Sequence, residues 1–436
     1  MEQELYTAGF ARLDITPPLG VPINGYFYKR IGKGVLDPLF VNAVACGEGE
    51  KRAVLLVLDM MALPGQVGYE WSVKIARELG LSEQSVFLCC THTHTAPLVE
   101  GAGSDEMYDA WLLRRLCDAV TIALDDCKPV VDVQWVQERA EGLAFPRRYV
   151  LNDGTVMTNP AGTYREQIRE FACENDDTLR LIRILREGGP ELTIVNFQSH
   201  PDNIGGEFYS ADYPGAFRNR VELGREGVRC IFLDGAEGQM VASDRRKGPK
   251  EPASHEKAMR YGARLGDFVL DIFDKTVSTG QKGLYFGQAE VRLKTKRDPS
   301  RVPEARRILE LHEQGKDEQI HPFKKQAIYM VAEAGQLCRL EKTMEDYRDV
   351  PVSAVAFCGL ALGGIPGEPF NEVGVQVRAN SKFAATCVCC LTNGSHGYFP
   401  TAQAYEQGGY EVYNTPYVKG CAEQLADGLD RLLESF

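Results

Sequence analysis

Short apolar runs rich in β-branched residues recur along the chain and alternate with longer amphipathic stretches. That rhythm restricts the chain to an α/β fold of layered strands and helices. Strands are expected at 53–59, 86–90, 131–136, 192–197, 228–233, 352–357 and 385–391. Helices are expected at 69–79, 107–126, 253–274, 303–313, 324–346 and 418–434, most with apolar residues at three- and four-residue spacing. The fold class that follows is a layered mixed sheet with covering helices and a metal site at the strand ends.

No flexible linker or low-complexity tract divides the 436 residues, so one domain spanning 1–436 is the simplest organisation. The polar, charge-rich stretch at about 298–349 reads as a helical insertion, with a turn near His321-Pro322. As a lid or a dimer contact it would serve equally, which leaves a homo-oligomer open.

Lys and Arg number 49 against 61 Asp and Glu, a net charge of −12 that repels phosphate backbones and speaks against nucleic acid as a partner. Every apolar run is interrupted well short of the ~18 residues of a membrane helix, so no integral membrane association is expected. The opening MEQELYTAGFARLDITPP lacks the basic and apolar regions of a secretory signal. Thirteen cysteines, an odd number, lie partly inside apolar runs such as FLCC and CVCC and read as reduced thiols. These features together point to a cytoplasmic protein.

Histidine is scarce, with seven in the chain, and its placement is informative. The run VFLCC leads directly into Thr91-His92-Thr93-His94-Thr95-Ala96-Pro97. Alternate side chains at a strand end share a face, so both imidazoles can aim at one point. A pair that only caps the strand and bonds to loop carbonyls would look the same. A second strand, TIVNFQ, runs into Ser199-His200-Pro201 and supplies a third histidine at a strand end. Zinc favours such imidazoles with a carboxylate and an open position. A single acid, Glu368, sits in the constrained turn Gly363-Gly364-Ile365-Pro366-Gly367-Glu368-Pro369-Phe370, and Asn393-Gly394-Ser395-His396-Gly397-Tyr398 ends another strand before a run with Tyr405 and Tyr410. Asp59 and Asp212 are candidates to hold the ligand imidazoles, or are ordinary helix caps and loop acids.

Together these segments resemble the N-terminal catalytic domain of the neutral and alkaline ceramidases. THTHTAP is similar to that family's THTHSGP, SHP to its HP segment, IPGEPF to its PGE motif, and GYFPTAQAYEQGGYE to its YxxTxEEYxxQxYE motif. The opening AGFARLDITPP and Gly25-Tyr26 resemble its start, so the likeness runs collinearly through the chain. By resemblance, the zinc ligands are His92, His200, Glu368 and Tyr398. The resemblance also makes His94 a substrate-contacting or oxyanion-stabilising residue, Arg147 an arginine near the site, and Tyr410 a substrate-side tyrosine.

The chain departs from the family at two places. Where the family carries a serine in a segment like QSNAGD, this chain reads Phe232-Leu233-Asp234-Gly235-Ala236-Glu237-Gly238-Gln239, with Gly235 at the serine's position. A metal-activated water then replaces the serine, with Asp234 or Glu237 as its general base. The family's C-terminal immunoglobulin-like domain is expected to be missing, and a small soluble substrate is expected in place of ceramide in a bilayer. The expected activity is zinc-dependent hydrolysis of a C–N amide bond in a small polar or N-acyl compound. A lyase, isomerase or glycoside-cleaving metalloenzyme, or a zinc-retaining binding protein, is the alternative.

Overall fold

The computed structural model describes residues 6–101 and 103–436. Its large sheet contains β1 (Tyr6–Asp14), β2 (Phe40–Glu48), β3 (Lys51–Leu58), β4 (Val86–Cys90), β5 (Lys128–Arg139), β6 (Thr178–Arg186), β7 (Glu191–Phe197) and β8 (Val228–Asp234). The order is β8-β7-β6-β5-β1-β2-β3-β4, with the short strand Val277–Ser278 pairing alongside β5. The two end pairs, β7 with β8 and β3 with β4, are parallel; the pairings between them are antiparallel. A second sheet holds β9 (Leu284–Lys294), β10 (Tyr347–Phe357), β11 (Leu360–Gly364) and β12 (Ala385–Cys389), in that order, with only β11 and β12 parallel.

The two sheets stack face to face. Val44, Leu55, Val57, Phe87, Ile182, Ile194 and Leu233 of the large sheet share an apolar layer with Leu284, Phe357, Leu360 and Cys387 of the smaller one. The other face of the large sheet is covered by α1 (Gly65–Glu78) and α2 (Glu106–Asp125) over one half, and by α3 (Asp212–Gly224) and α4 (His255–Ile272) over the other. Helices α7 (Asn371–Asn380) and α8 (Cys421–Glu434) cover the outer face of the small sheet. The result is four layers, helix, sheet, sheet, helix. Strands buried on both faces need no polar alternation, which is why they read as continuous apolar runs.

Between β9 and β10 lie α5 (Val302–Glu313), the short helix Asp317–Ile320 and α6 (Lys324–Thr343), which pack on one another through Ala305, Ile308, Val331 and Leu337. These helices occupy the stretch expected to be a helical insertion. No described helix is long and apolar enough to cross a membrane. All thirteen cysteines are free thiols.

Several elements escape the sequence pattern. Strand β1 contains Gly9 and Ala11, and Gly9 abuts the carbonyl oxygen of Ala123 in α2, where a methyl group would collide at 1.8 Å. Helix α3 carries Pro214 and Gly215, which resemble a turn. In its first turn a proline sacrifices no intrahelical hydrogen bond, so the helix forms regardless.

Candidate metal centre

The large sheet curls until β8 packs against β3 and β4 at the opposite end of its order. The segments that follow β4, β7, β8, β11 and β12 thereby meet at one place. His92 and His94 follow β4, His200 follows β7, Glu237 follows β8, Glu368 follows β11 and Tyr398 follows β12. His92 has a left-handed backbone, φ +65°, a strained conformation for a residue with a Cβ and one that recurs at functional sites.

The rings converge by their Nε2 atoms. His92 Nε2 lies 3.3 Å from His94 Nε2 and 3.6 Å from Glu368 Oε2, and His200 Nε2 lies 3.4 Å from the same oxygen. Each ring is fixed from behind. Nδ1 of His92 donates to the carbonyl of Met61 at 2.9 Å, Nδ1 of His94 to that of Gly25 at 3.1 Å, and Nδ1 of His200 meets the carboxylate of Glu237. A proton on Nδ1 leaves Nε2 with a bare lone pair. Bare lone pairs from two rings then face each other, and Glu368 Oε2 is buried with no hydrogen-bond partner. Such an arrangement is costly unless a cation sits among them. Donor atoms around a four-coordinate zinc, at bonds of about 2.0–2.1 Å, lie roughly 3.3–3.4 Å apart, close to the separations here. The cluster of His92, His200, Glu237 and Glu368, with His94 alongside, can hold a metal ion.

Electrostatics agree. Burial alone would raise the Glu368 carboxyl, but His92 and His200 outweigh it and hold the group at about 2. Burial would lower the His200 imidazole, yet Glu237 brings it up to about 9. His94 is pushed down to about 3, mainly by burial, which the charges of Asp202 and Glu368 offset only in part. The Asp234 carboxyl lies well above the usual range, first through burial and then through the charge of Glu237.

The Tyr398 hydroxyl stands 3.5 Å from His200 Nε2, and its ring centroid is 5.8 Å from that of Tyr410. Tyr410 accepts a hydrogen bond from Asn414 Nδ2 at 2.9 Å. Arg147 places Nη1 at 3.3 Å from His200 Nε2, while its Nε bonds to Glu411 at 2.7 Å and its Nη2 to the carbonyl of Gly238 at 2.6 Å. All nine site residues singled out in the sequence therefore belong to one neighbourhood.

Their contacts differ from some of those expected. Glu237 faces Nδ1 of His200, on the edge of the ring away from Glu368. Asp234 neighbours Glu237, accepts weakly from the Ser199 amide at 3.5 Å, and keeps Oδ2 unpartnered. Asp59 and Asp212 hold none of the imidazoles. Asp59 makes a two-point ion pair with Arg218, 2.7 and 2.5 Å, and Asp212 accepts from the amides of Asn203, Ile204 and Tyr213. A Cβ on Gly235 would meet Gln198 Oε1 at 2.9 Å, and Gln198 is itself tied to the Asp176 and Thr178 carbonyls. Packing at Gly235 is thus built around the absence of a side chain.

Sequence reasoning missed Glu411. It is fully buried and bonds to Thr158 Oγ1 at 2.8 Å as well as to Arg147, with Arg148 at 3.6 Å. Its place beside Tyr410 was the only available signal. Asp202, two residues after His200 in SHPD, accepts from Tyr26 at 2.5 Å.

No protein-family model matches the chain, and no curated protein sequence matches it. Among solved structures, neutral ceramidase from Pseudomonas aeruginosa superposes with a TM-score of 0.73 at 14% identity, covering 100% of this chain and 75% of that one. A ceramidase complexed with C2 superposes with a TM-score of 0.70 at 15% identity, covering 99% of this chain and 74% of that one. At such identities the likeness establishes a ceramidase-like fold over the whole chain.

Proposed function

We propose that the protein is a zinc-dependent hydrolase that cleaves a C–N amide bond in a small polar or N-acyl compound. One observation carries the reading: three imidazoles are each held at Nδ1 by an acceptor, His92 and His200 turn Nε2 toward a buried Glu368 oxygen that has no hydrogen-bond partner, and His94 Nε2 lies 3.3 Å from that of His92. The ceramidase-like fold supports it. His92, His200, Glu368 and Tyr398 would hold the ion. A bound Zn²⁺ supplies a Lewis acid that polarises a scissile carbonyl and acidifies water.

The chain's own groups do the rest. His94 donates from Nδ1 to Gly25, so its Nε2 accepts, and its low pKa keeps it neutral. It contacts a donor on the substrate and is unsuited to stabilising an oxyanion. Tyr410 stays protonated because burial raises its hydroxyl above the ordinary value. Its oxygen already accepts from Asn414, which leaves its proton free for a carbonyl or for the departing nitrogen. Arg147, locked by Glu411 and Gly238, presents a fixed positive charge to the reacting centre. Glu237 positions His200, and Asp234 stands behind Glu237.

Elemental analysis of protein purified without added metal, beside a His200→Ala variant, tests the ion; a panel of N-acyl amides tests the reaction. Near-stoichiometric zinc that the variant loses, with amide hydrolysis, is the expected result. A protein that neither carries nor takes up zinc, or a zinc protein that turns over lyase or glycoside substrates and no amide, overturns the reading.

A further inference from the structure

A recess lined by His200 and Arg147 also contains Asp202, Arg245, Lys250 and Lys257. Lys257 lies on its boundary with a neighbouring cavity of about 370 Å³, which adds Lys247, Arg260 and Arg264 to the walls. The chain as a whole carries a net charge of −12, so this concentration of cations beside the candidate metal centre runs against the overall field.

Two of these cations belong to largely buried residues that line the recess and lack an ion-pair partner among the described residues. Arg245 is 7% exposed; its Nε has no hydrogen-bond partner, and Nη2 has only a 3.4 Å contact with Asn159 Oδ1. Lys257 is likewise 7% exposed, and its ammonium makes no ion pair among the described residues. Burial accordingly lowers both groups, with Lys250 adding to the effect at Lys257. The carboxylates around them are engaged elsewhere. Asp202 is bound by Tyr26 and Lys250, Asp244 by Arg246, Glu251 by Arg260, and Asp212 by backbone amides. A buried charge with no partner destabilises a fold, and proteins retain such charges where a ligand supplies the missing partner.

We infer that Arg245 and Lys257 form a subsite for an oxyanion on the substrate, a carboxylate or a phosphate, held beside His200. This rests on the hydrolase reading in taking that oxyanion to belong to the same molecule as the scissile amide. The substrate class is then an N-acyl compound with an acidic group, for which Arg245 and Lys257 determine specificity.

The test is calorimetric binding at low ionic strength, using the protein as purified. N-acetylglycinate and N-acetylaminomethylphosphonate are compared with uncharged N-acetylglycinamide, on wild type, Arg245→Met and Lys257→Met. At least one of the two anions should bind wild type ten-fold or more tighter than the amide, and whichever does so names the group. That preference should shrink to within about two-fold in each variant, and neither unliganded variant should melt below wild type, because the charge removed had no partner. Equal binding of anions and amide to wild type overturns the inference, as does a preference that survives both substitutions. If a variant does not fold, the wild-type comparison alone decides. An anion preference in a protein without zinc or hydrolysis would leave the subsite standing and remove the hydrolase reading. Hydrolysis with no anion preference would do the reverse.

Discussion

Glu237 grips Nδ1 of His200 while Nε2 of the same ring faces Glu368 at 3.4 Å, so one carboxylate sets the direction in which the other's partner points. A metal-ligating imidazole depends on such a second contact for its tautomer and orientation, and losing it typically costs 10–100-fold in metal affinity. Glu237→Ala should therefore weaken zinc binding by about that factor while leaving all proposed ligands in place. Competition with a chromogenic chelator measures it; unchanged affinity would show that Glu237 has no hold on the ring.

Glu411 joins elements that are remote in sequence, bonding to Arg147 at 2.7 Å and Thr158 at 2.8 Å from a fully buried position. Glu411→Gln keeps the shape and removes the charge that faces two arginines. Breaking a buried pair of this kind costs about 3–5 kcal/mol, and denaturant unfolding should show a loss of that order. Amide hydrolysis should fall too, since Arg147 is no longer held. A variant as stable as wild type would mean that Glu411 contributes no net pairing.

Asp59 follows β3, which pairs with the strand leading to His92, yet its partner is Arg218 of α3. Asp59→Asn should lower stability by about 3 kcal/mol, again because a buried charge is left alone. Its zinc content should match that of wild type, a result opposite to that expected for Glu237→Ala. Zinc loss in a folded Asp59→Asn protein would put Asp59 back among the supports of the metal centre.

The strands at the site were legible because apolar runs covered on both sides end sharply at polar residues; the expected bounds of β4 match the observed strand, Val86–Cys90. His92, His200 and Glu368 drew attention because each follows such a run, and it was the resemblance to the ceramidases that joined them with Tyr398 as a set. What supports them could not. The Met61 and Gly25 carbonyls carry no side-chain signal, and the Glu237 to His200 contact depends on the relative placement of β7 and β8 ends. Helix α3 was hidden by Pro214-Gly215, and the partner of Asp59 was hidden with it. Arg245 and Lys257 stand out only after folding, because what marks them is the absence of a neighbour.

Lys296, just after β9, donates to the carbonyl of Val412, in the same short helix as Tyr410 and Glu411. Burial lowers its ammonium to about 8 from an ordinary value near 10.5. Between those two pH values the unfolded chain carries the proton and the folded chain does not, so stability rises with pH across that window. The contribution is fully present above the unfolded pKa and is lost as pH falls toward 8, with an upper bound of about 3 kcal/mol. Lys296→Met removes the titration. The stability of wild type minus that of the variant, from urea unfolding at intervals between pH 7 and 10.5, should be flat near neutrality and then climb in favour of wild type. A difference that stays level throughout, or that falls with rising pH, would show that Lys296 keeps its proton in the fold and that the carbonyl of Val412 compensates its burial.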